Sequence, residues 1–217
     1  MDKISAFKDL LLIKKLFKKY EIPFFLSYGT CLGAYRDGDF LPDDDDIDLV
    51  VTKKIDYKTR KDIGWTLYGL GFEPQGVAFN VFNRLEPSEV GYNGDAHSGI
   101  IVCERSIHVT IFFFGEEYCK EHKELEMVCI PKMGAYKLIS SPSKFYNKPS
   151  TIKFKNEEFF VPSPTEEYLS YTYEDWKNPL KRDHGKLYNQ IHSEGKMLKN
   201  IGSSFRAVSQ DSPRKHL

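Results

Sequence analysis

Asp46 and Asp48 stand one residue apart in Asp46-Ile47-Asp48-Leu49-Val50-Val51, a segment that is otherwise apolar and β-branched. Side chains alternate faces along a strand, so positions i and i+2 point the same way. Both carboxylates therefore project to one side while Ile47 and Leu49 enter a core. Aspartate disfavours strands and is costly to bury. Two carboxylates held close repel, unless one takes up a proton or a cation neutralises both. A hard divalent ion such as Mg²⁺ or Mn²⁺ resolves that conflict, because it prefers oxygen ligands and bridges to phosphates. Upstream, Phe24-Phe25-Leu26-Ser27-Tyr28 runs into Gly29-Thr30. Glycine lets a phosphate approach the backbone, and amides at a helix start can receive it. Together the two halves describe metal-assisted transfer at phosphorus. Residues 37 to 45 alone would read only as a solvated or calcium-decorated acidic loop. The pair inside the strand is what departs from that.

The elements that must hold these residues follow from hydrophobic spacing. Ile4, Phe7, Leu10, Leu11, Phe17 and Tyr20 recur at helical intervals, with Asp2 as N-cap and Pro23 as the stop. Lysines fill much of the other face, which fits a solvated surface or an anionic membrane surface. A buried strand over 24–28 enters the Gly29-Thr30 turn, and a short helix follows over 30–35. Asp37-Gly38-Asp39 is a turn, and residues 57–69 read as a helix. Strand patterns occupy Val77–Phe82, Gly99–Cys103 and Ile107–Phe114. Ile152–Phe154 and Phe159–Val161 flank Asn156-Glu157 as a hairpin, after which Thr165 caps a helix starting near Glu166. The expected fold class is α/β or α+β. We expect a mixed twisted sheet of about five strands flanked by helices, with a C-terminal hairpin and helical cap.

The chain has 217 residues, with 31 Lys+Arg against 31 Asp+Glu and no net formal charge. That length suits one domain: 1–201, with a core over 1–115, the hairpin and cap over 150–200, and a tail over 202–217. A neutral chain lacks the broad basic field of a general nucleic-acid binder, so no nucleic-acid partner is expected and phosphate binding must be local. Cys31, Cys103, Cys119 and Cys129 form no CxxC pair and read as small hydrophobes in a reducing compartment. The longest apolar runs, Leu10–Ile13 and Ile111–Phe114, are too short to cross a bilayer. The expectation is a cytoplasmic protein.

Residues 25–36, Phe-Leu-Ser-Tyr-Gly-Thr-Cys-Leu-Gly-Ala-Tyr-Arg, and residues 38–48, Gly-Asp-Phe-Leu-Pro-Asp-Asp-Asp-Asp-Ile-Asp, closely resemble the signature of the LicD family. That family belongs, with the fukutin-type enzymes, to the nucleotidyltransferase-fold superfamily. Asp43 replaces its usual Trp. Val161-Pro162, Glu167-Tyr168-Leu169, Tyr173-Glu174-Asp175-Trp176 and Pro179 resemble its C-terminal segment, in the expected order. The resemblance frames residues 1–180.

The resemblance implies transfer of a phosphorylated alcohol, of phosphocholine or ribitol-phosphate type, from a CDP-linked donor to a saccharide hydroxyl with release of CMP. Asp46 and Asp48 would bind Mg²⁺ or Mn²⁺, with Asp44 as a supporting ligand. Gly29 and Thr30 would shape the phosphate loop. Arg36 would meet the anionic donor, and Trp176 joins the donor-binding set. The acceptor would be a saccharide or glycolipid, with peripheral membrane contact if it is lipid-linked; oligomeric state is left open. The family's third carboxylate, in an Ile-Asp-Ile-Phe pattern, is missing: Ile107-His108-Val109-Thr110-Ile111-Phe112 puts Thr110 there, or His108 after a two-residue shift. His108 is the candidate general base; a histidine hydrogen-bonded within a strand is the plain alternative. Glu104-Arg105 reads as a turn pair. Two other functions fit the same residues: nucleotidyl transfer from an NTP to a sugar, small molecule or protein, and nucleotide binding without catalysis.

Overall fold

A computed structural model describes residues 1–74, 99–113, 128–129, 139–173 and 175–178. Helix α1 (Lys3–Lys19) buries Ala6, Leu10, Ile13 and Phe17, one stripe at helical spacing. The Asp2 side chain accepts from the Ile4 N–H at 3.1 Å, so the N-terminal cap is the expected one. Strand β1 (Phe25–Leu26) leads into α2 (Tyr28–Leu32) and a π-helical turn over Gly33–Asp37, which ends on left-handed Gly38. Strand β2 (Asp46–Val51) and helix α3 (Tyr57–Gly69) follow, then β3 (Glu73–Pro74), β4 (Gly99–Glu104) and β5 (His108–Phe113). Short β6 (Val128–Cys129) and β7 (Ile139–Ser140) pair with each other. Hairpin β8 (Ser150–Phe154) and β9 (Glu157–Val161) precedes helix α4 (Thr165–Thr172).

The main sheet is mixed, in the order β3-β4-β5-β2-β1-β9-β8. It has seven strands rather than about five. The C-terminal hairpin joins the sheet, through parallel pairing of β9 with β1, and two-residue β3 closes the other edge. Central β2 runs antiparallel to β1 and parallel to β5. Ile47, Leu49 and Val51 are fully buried. They share a face with Phe113, against which α3 lays the Arg60 guanidinium 5.9 Å from the ring centroid. On the same side, the Tyr20 hydroxyl joins α1 to Thr66 of α3 at 3.3 Å. The opposite face, carrying Asp46, Asp48 and Val50, is covered at one end by α2, Tyr146 and α4: Tyr28 packs edge-on to Phe112 at 5.5 Å, and Tyr146 to Phe25 at 5.1 Å. That end is closed; the end at Asp46 is open.

Two local expectations are corrected. The hairpin turn is Lys155-Asn156, one residue earlier than read, with Lys155 at φ 55°. Thr165 is not the cap of α4; Pro164 precedes the helix, and the Thr165 hydroxyl donates to the Pro162 carbonyl at 2.8 Å. Cys31 and Cys103 are buried free thiols. The expected strand Val77–Phe82, Cys119, the end of the helical cap beyond 178 and the tail over 202–217 lie outside the described residues. Among the described residues, no helix is long and apolar enough to cross a membrane.

Candidate active site

The β2–β5 register places Asp46 beside His108 and Asp48 beside Thr110. Registered partners share a face, so all four side chains lie on one side of the sheet. Asp46, Asp48 and His108 are half-buried, while Thr110 is 9% exposed. The burial gradient runs from closed Val50 and Phe112 to accessible Asp46 and His108.

Gly29 and Thr30 each serve one aspartate. A Cβ on Gly29 would overlap the Asp44 Oδ2, with the Asp44 Cγ 3.2 Å away. The missing side chain is what lets the carboxylate of Asp44 seat, 5% exposed, against the loop. The Thr30 hydroxyl, 1% exposed, accepts from the Asp48 N–H at 2.9 Å. The family resemblance gives both residues the shaping of a phosphate loop. In the structure they fix the positions of carboxylates. Tyr28 turns the chain into α2 with φ 46°, a left-handed value that disfavours a bulky side chain. The fully buried Tyr168 hydroxyl steadies it by accepting the Tyr28 N–H at 3.1 Å. Burial pushes the phenol of Tyr168 well above its ordinary range, and that of Tyr146 up to about 12. Both remain neutral hydrogen-bonding groups. The Tyr168-Leu169 motif therefore serves the loop from α4, a role that sequence spacing did not reveal.

The acidic loop is tied down along its length. Gly33 passes so close to the next segment that a Cβ would sit 2.6 Å from the Asp39 carbonyl oxygen and 2.9 Å from the Leu41 nitrogen. Asp39 receives Lys3 at 3.1 Å and Lys155 at 2.7 Å. Burial raises the Asp39 pKa, but hydrogen bonds from both lysines outweigh it and bring the carboxyl to about 2. The result converges three carboxylates: Asp44, Asp45 and Asp46 offer oxygens all within 4.8 Å of one another. Asp45 was not singled out in the sequence, where four consecutive aspartates give no local signal for choosing among them. Asp48 shares the face of Asp46 and stands beside Thr30.

Arg36 is engaged by neighbours within the chain. Its Nε and Nη2 form a fork with the Asp37 carboxylate at 2.7 and 2.8 Å, and Nη1 donates to the Trp176 carbonyl at 3.0 Å. That hydrogen bonding raises the Arg36 pKa and lowers that of Asp37. Trp176 is 7% exposed, donates from Nε1 to Ser170 Oγ at 3.0 Å and meets Tyr35 edge-on at 5.9 Å. In this structure Arg36 and Trp176 brace the C-terminal segment against the π-helical turn.

The donor set is made only of carboxylate oxygens, which suits a hard divalent cation and not a soft one. The seat left by Gly29 holds one of these ligands at a fixed place. Asp44, Asp45 and Asp46 are the residues whose oxygens converge closely enough to hold Mg²⁺ or Mn²⁺; Asp48, expected as a ligand, shares the face of Asp46 but is not part of that group.

A mixed sheet with paired strand aspartates beside a Gly-Thr bend defines a protein of the nucleotidyltransferase-fold class. The family pattern described as LicD/FKTN/FKRP, nucleotidyltransferase domain, matches residues 21–164, and the chain belongs to this family. Ribitol-5-phosphate transferase FKTN of Homo sapiens and of Macaca fascicularis are each 30% identical to it over 183 residues, 82% of this chain and 34% of theirs. The Mus musculus protein is 28% identical over 180 residues. The chain thus spans about a third of the length of these relatives. A lincosamide adenylyltransferase, LnuA, aligns over 86% of this chain and 96% of its own, with 13% identity and a TM-score of 0.46, a likeness too distant to carry weight.

Proposed function

We propose that this chain is a divalent-metal-dependent phosphotransferase. It moves a phospho-alcohol, of ribitol-phosphate or phosphocholine type, from a CDP-linked donor to a saccharide or glycolipid hydroxyl and releases CMP. The observation that supports this best is the convergence of Asp44, Asp45 and Asp46 beside Gly29, with Asp48 held by Thr30. The similarity to ribitol-5-phosphate transferases points to the payload.

In this reading the acceptor oxygen attacks the phosphorus that carries the alcohol. A P–O bond forms there, and the P–O bond to CMP breaks, with the electron pair leaving on the CMP phosphate. Bound Mg²⁺ or Mn²⁺ would draw charge from the phosphate oxygens as it accumulates in the transition state. Asp44, Asp45 and Asp46 hold that position. His108, next to Asp46 in the register, takes the acceptor's proton. Arg36 and Trp176 hold the C-terminal segment against the turn over 33–37.

The test is incubation with CDP-ribitol, CDP-choline and CDP-glycerol plus Mn²⁺, reading CMP release, alongside melting with CDP and Mn²⁺. CMP release that stops in Asp46→Ala is the expected result. Release of pyrophosphate from CTP or ATP would establish nucleotidyl transfer instead. A second reading rests on Thr110, which stands where the family places an acid: nucleotide binding without turnover. Stabilisation by CDP and Mn²⁺ with no CMP from any donor would favour it. No metal-dependent stabilisation at all would sink both readings.

A further inference from the structure

Helix α1 carries six lysines and one acid. Two of the lysines serve the fold, since Lys3 meets Asp39 and Lys14 meets Glu157. The acid, Asp9, is fully buried and engaged by Arg105. The other four lysines, Lys8, Lys15, Lys18 and Lys19, are exposed and take part in no ion pair among the described residues. Ile4, Lys8, Leu11, Lys15 and Lys18 follow one another at steps of three and four, so they form a single stripe opposite the buried one. Ile4 on that stripe is 70% exposed. Lys18 and Lys19 suit the negative end of the helix dipole, but Lys8 and Lys15 do not. The chain as a whole is neutral, so the positive charge of this stripe is segregated and not general.

Helix α3 repeats the pattern beside it. Ile63 and Leu67 are buried, while Lys58, Lys61, Trp65 and Tyr68, again three and four apart, line the outer side. Asp62 is the one acid within this helix. Trp65 and Tyr68 are 43% and 54% exposed, with their rings edge-on at 6.1 Å. The Tyr20 hydroxyl ties the end of α1 to Thr66 of α3, so the two outer stripes form one surface. It lies on the side of the sheet away from Asp46 and Asp48.

We propose that this surface docks the protein on an anionic phospholipid membrane. Six lysines of α1 and α3 meet the headgroup phosphates, Trp65 and Tyr68 sit at headgroup level, and Ile4 enters the acyl boundary. The charge is complementary, and the interleaved apolar side chains say which polyanion it fits. A nucleic acid would meet the lysines but gain nothing from Ile4, and two edge-on rings on a convex helix make no platform for stacked bases. This surface is separate from the carboxylate site and does not depend on the reaction proposed for it.

The experiment is sedimentation of the full chain with vesicles of phosphatidylcholine alone and of phosphatidylcholine mixed with phosphatidylserine. Binding is expected only to the mixed vesicles, and about 0.5 M NaCl is expected to release it. Lys15→Gln/Lys18→Gln/Lys19→Gln is expected to weaken binding about a hundredfold, roughly fivefold for each charge. Lys144→Gln/Lys148→Gln/Lys177→Gln removes the same charge from exposed positions elsewhere and is expected to change binding by less than about threefold. Thermal melting of each variant checks that it folds. Trp65 also gives a direct signal, because Trp176, the other tryptophan, is buried. Mixed vesicles are expected to shift the tryptophan emission to the blue in the parent chain and not in Trp65→Phe. No sedimentation with mixed vesicles overturns the proposal. So do equal losses in the two triple variants, which would reflect bulk charge, and a blue shift that persists in Trp65→Phe. A single-stranded oligonucleotide that displaces the vesicles and itself binds through Lys15, Lys18 and Lys19 would assign the surface to nucleic acid instead.

Discussion

Gly29 and Asp44 fit only as a pair. Adding one methyl at Gly29 forces the Asp44 carboxylate out of its seat while leaving the strands untouched. Gly29→Ala is therefore expected to lower Mn²⁺ affinity about tenfold or more while the unfolding midpoint moves little, measured by metal titration beside urea denaturation. Thr30→Val acts differently. It removes the acceptor of the Asp48 N–H inside a buried loop, so it is expected to cost about 1–3 kcal/mol of stability by urea denaturation. At the same scale, burial pushes the Cys31 thiol far up and the Cys103 thiol to about 12. Neither is expected to react with iodoacetamide at pH 7.5 until the chain is unfolded, which peptide mass spectrometry would read directly.

The β4–β5 turn shows how a sheet row is held by an element outside it. Asp9 of α1 is fully buried, pairs with Arg105 and accepts the Ser106 N–H at 2.8 Å. The two ends of this pair are unequal, since the Arg105 side chain is 39% exposed. Arg105→Ala strands a buried carboxylate and is expected to cost about 3 kcal/mol, whereas Asp9→Ala leaves a guanidinium that water can serve and costs about 1–2 kcal/mol. Urea denaturation of both variants checks the order. None of this was legible in the sequence, where Glu104-Arg105 read as a turn pair. What periodicity did reveal was local: α1, α3, β2, β4 and β5 fall within a residue or so of expectation because each carries its own apolar spacing. The residues of β3 and the parallel pairing of β9 with β1 carry no such signal, because two-residue strands have no period and their partners are remote in sequence. The same limit hid the site's supports. Asp46 and Asp48 are conspicuous as acids in an apolar strand, but the contacts of Tyr168 and Arg36 depend on neighbours that only the fold brings near.

For the whole molecule, the acidic loop is a junction. Lys3 of α1 and Lys155 of the hairpin meet on Asp39, and Lys14 of α1 donates to Glu157 at 2.8 Å and to the Glu158 carbonyl at 2.7 Å. The Asp39 pKa is depressed from 3.8 to about 2, so its ion pairs contribute above pH 3.8 and their contribution is lost as pH falls through 2. The stability difference between the parent chain and Asp39→Asn is expected to be flat above pH 5 and to shrink between pH 4 and 2. Urea denaturation across that range would show it, and high salt would diminish it, since the partners are 30–38% exposed.

Strand β1 sits between β2, which follows it closely in the chain, and β9, which comes near the end of the described residues. A ribosome must therefore have made Val161 before β1 acquires its second neighbour. Until then an apolar edge stands open in the middle of the nascent sheet, a template for other unfinished chains. Shortened versions ending before residue 157 are expected to collect in inclusion bodies, and slow translation through the hairpin is expected to raise demand for chaperones. The acidic loop, though encoded early, is completed late.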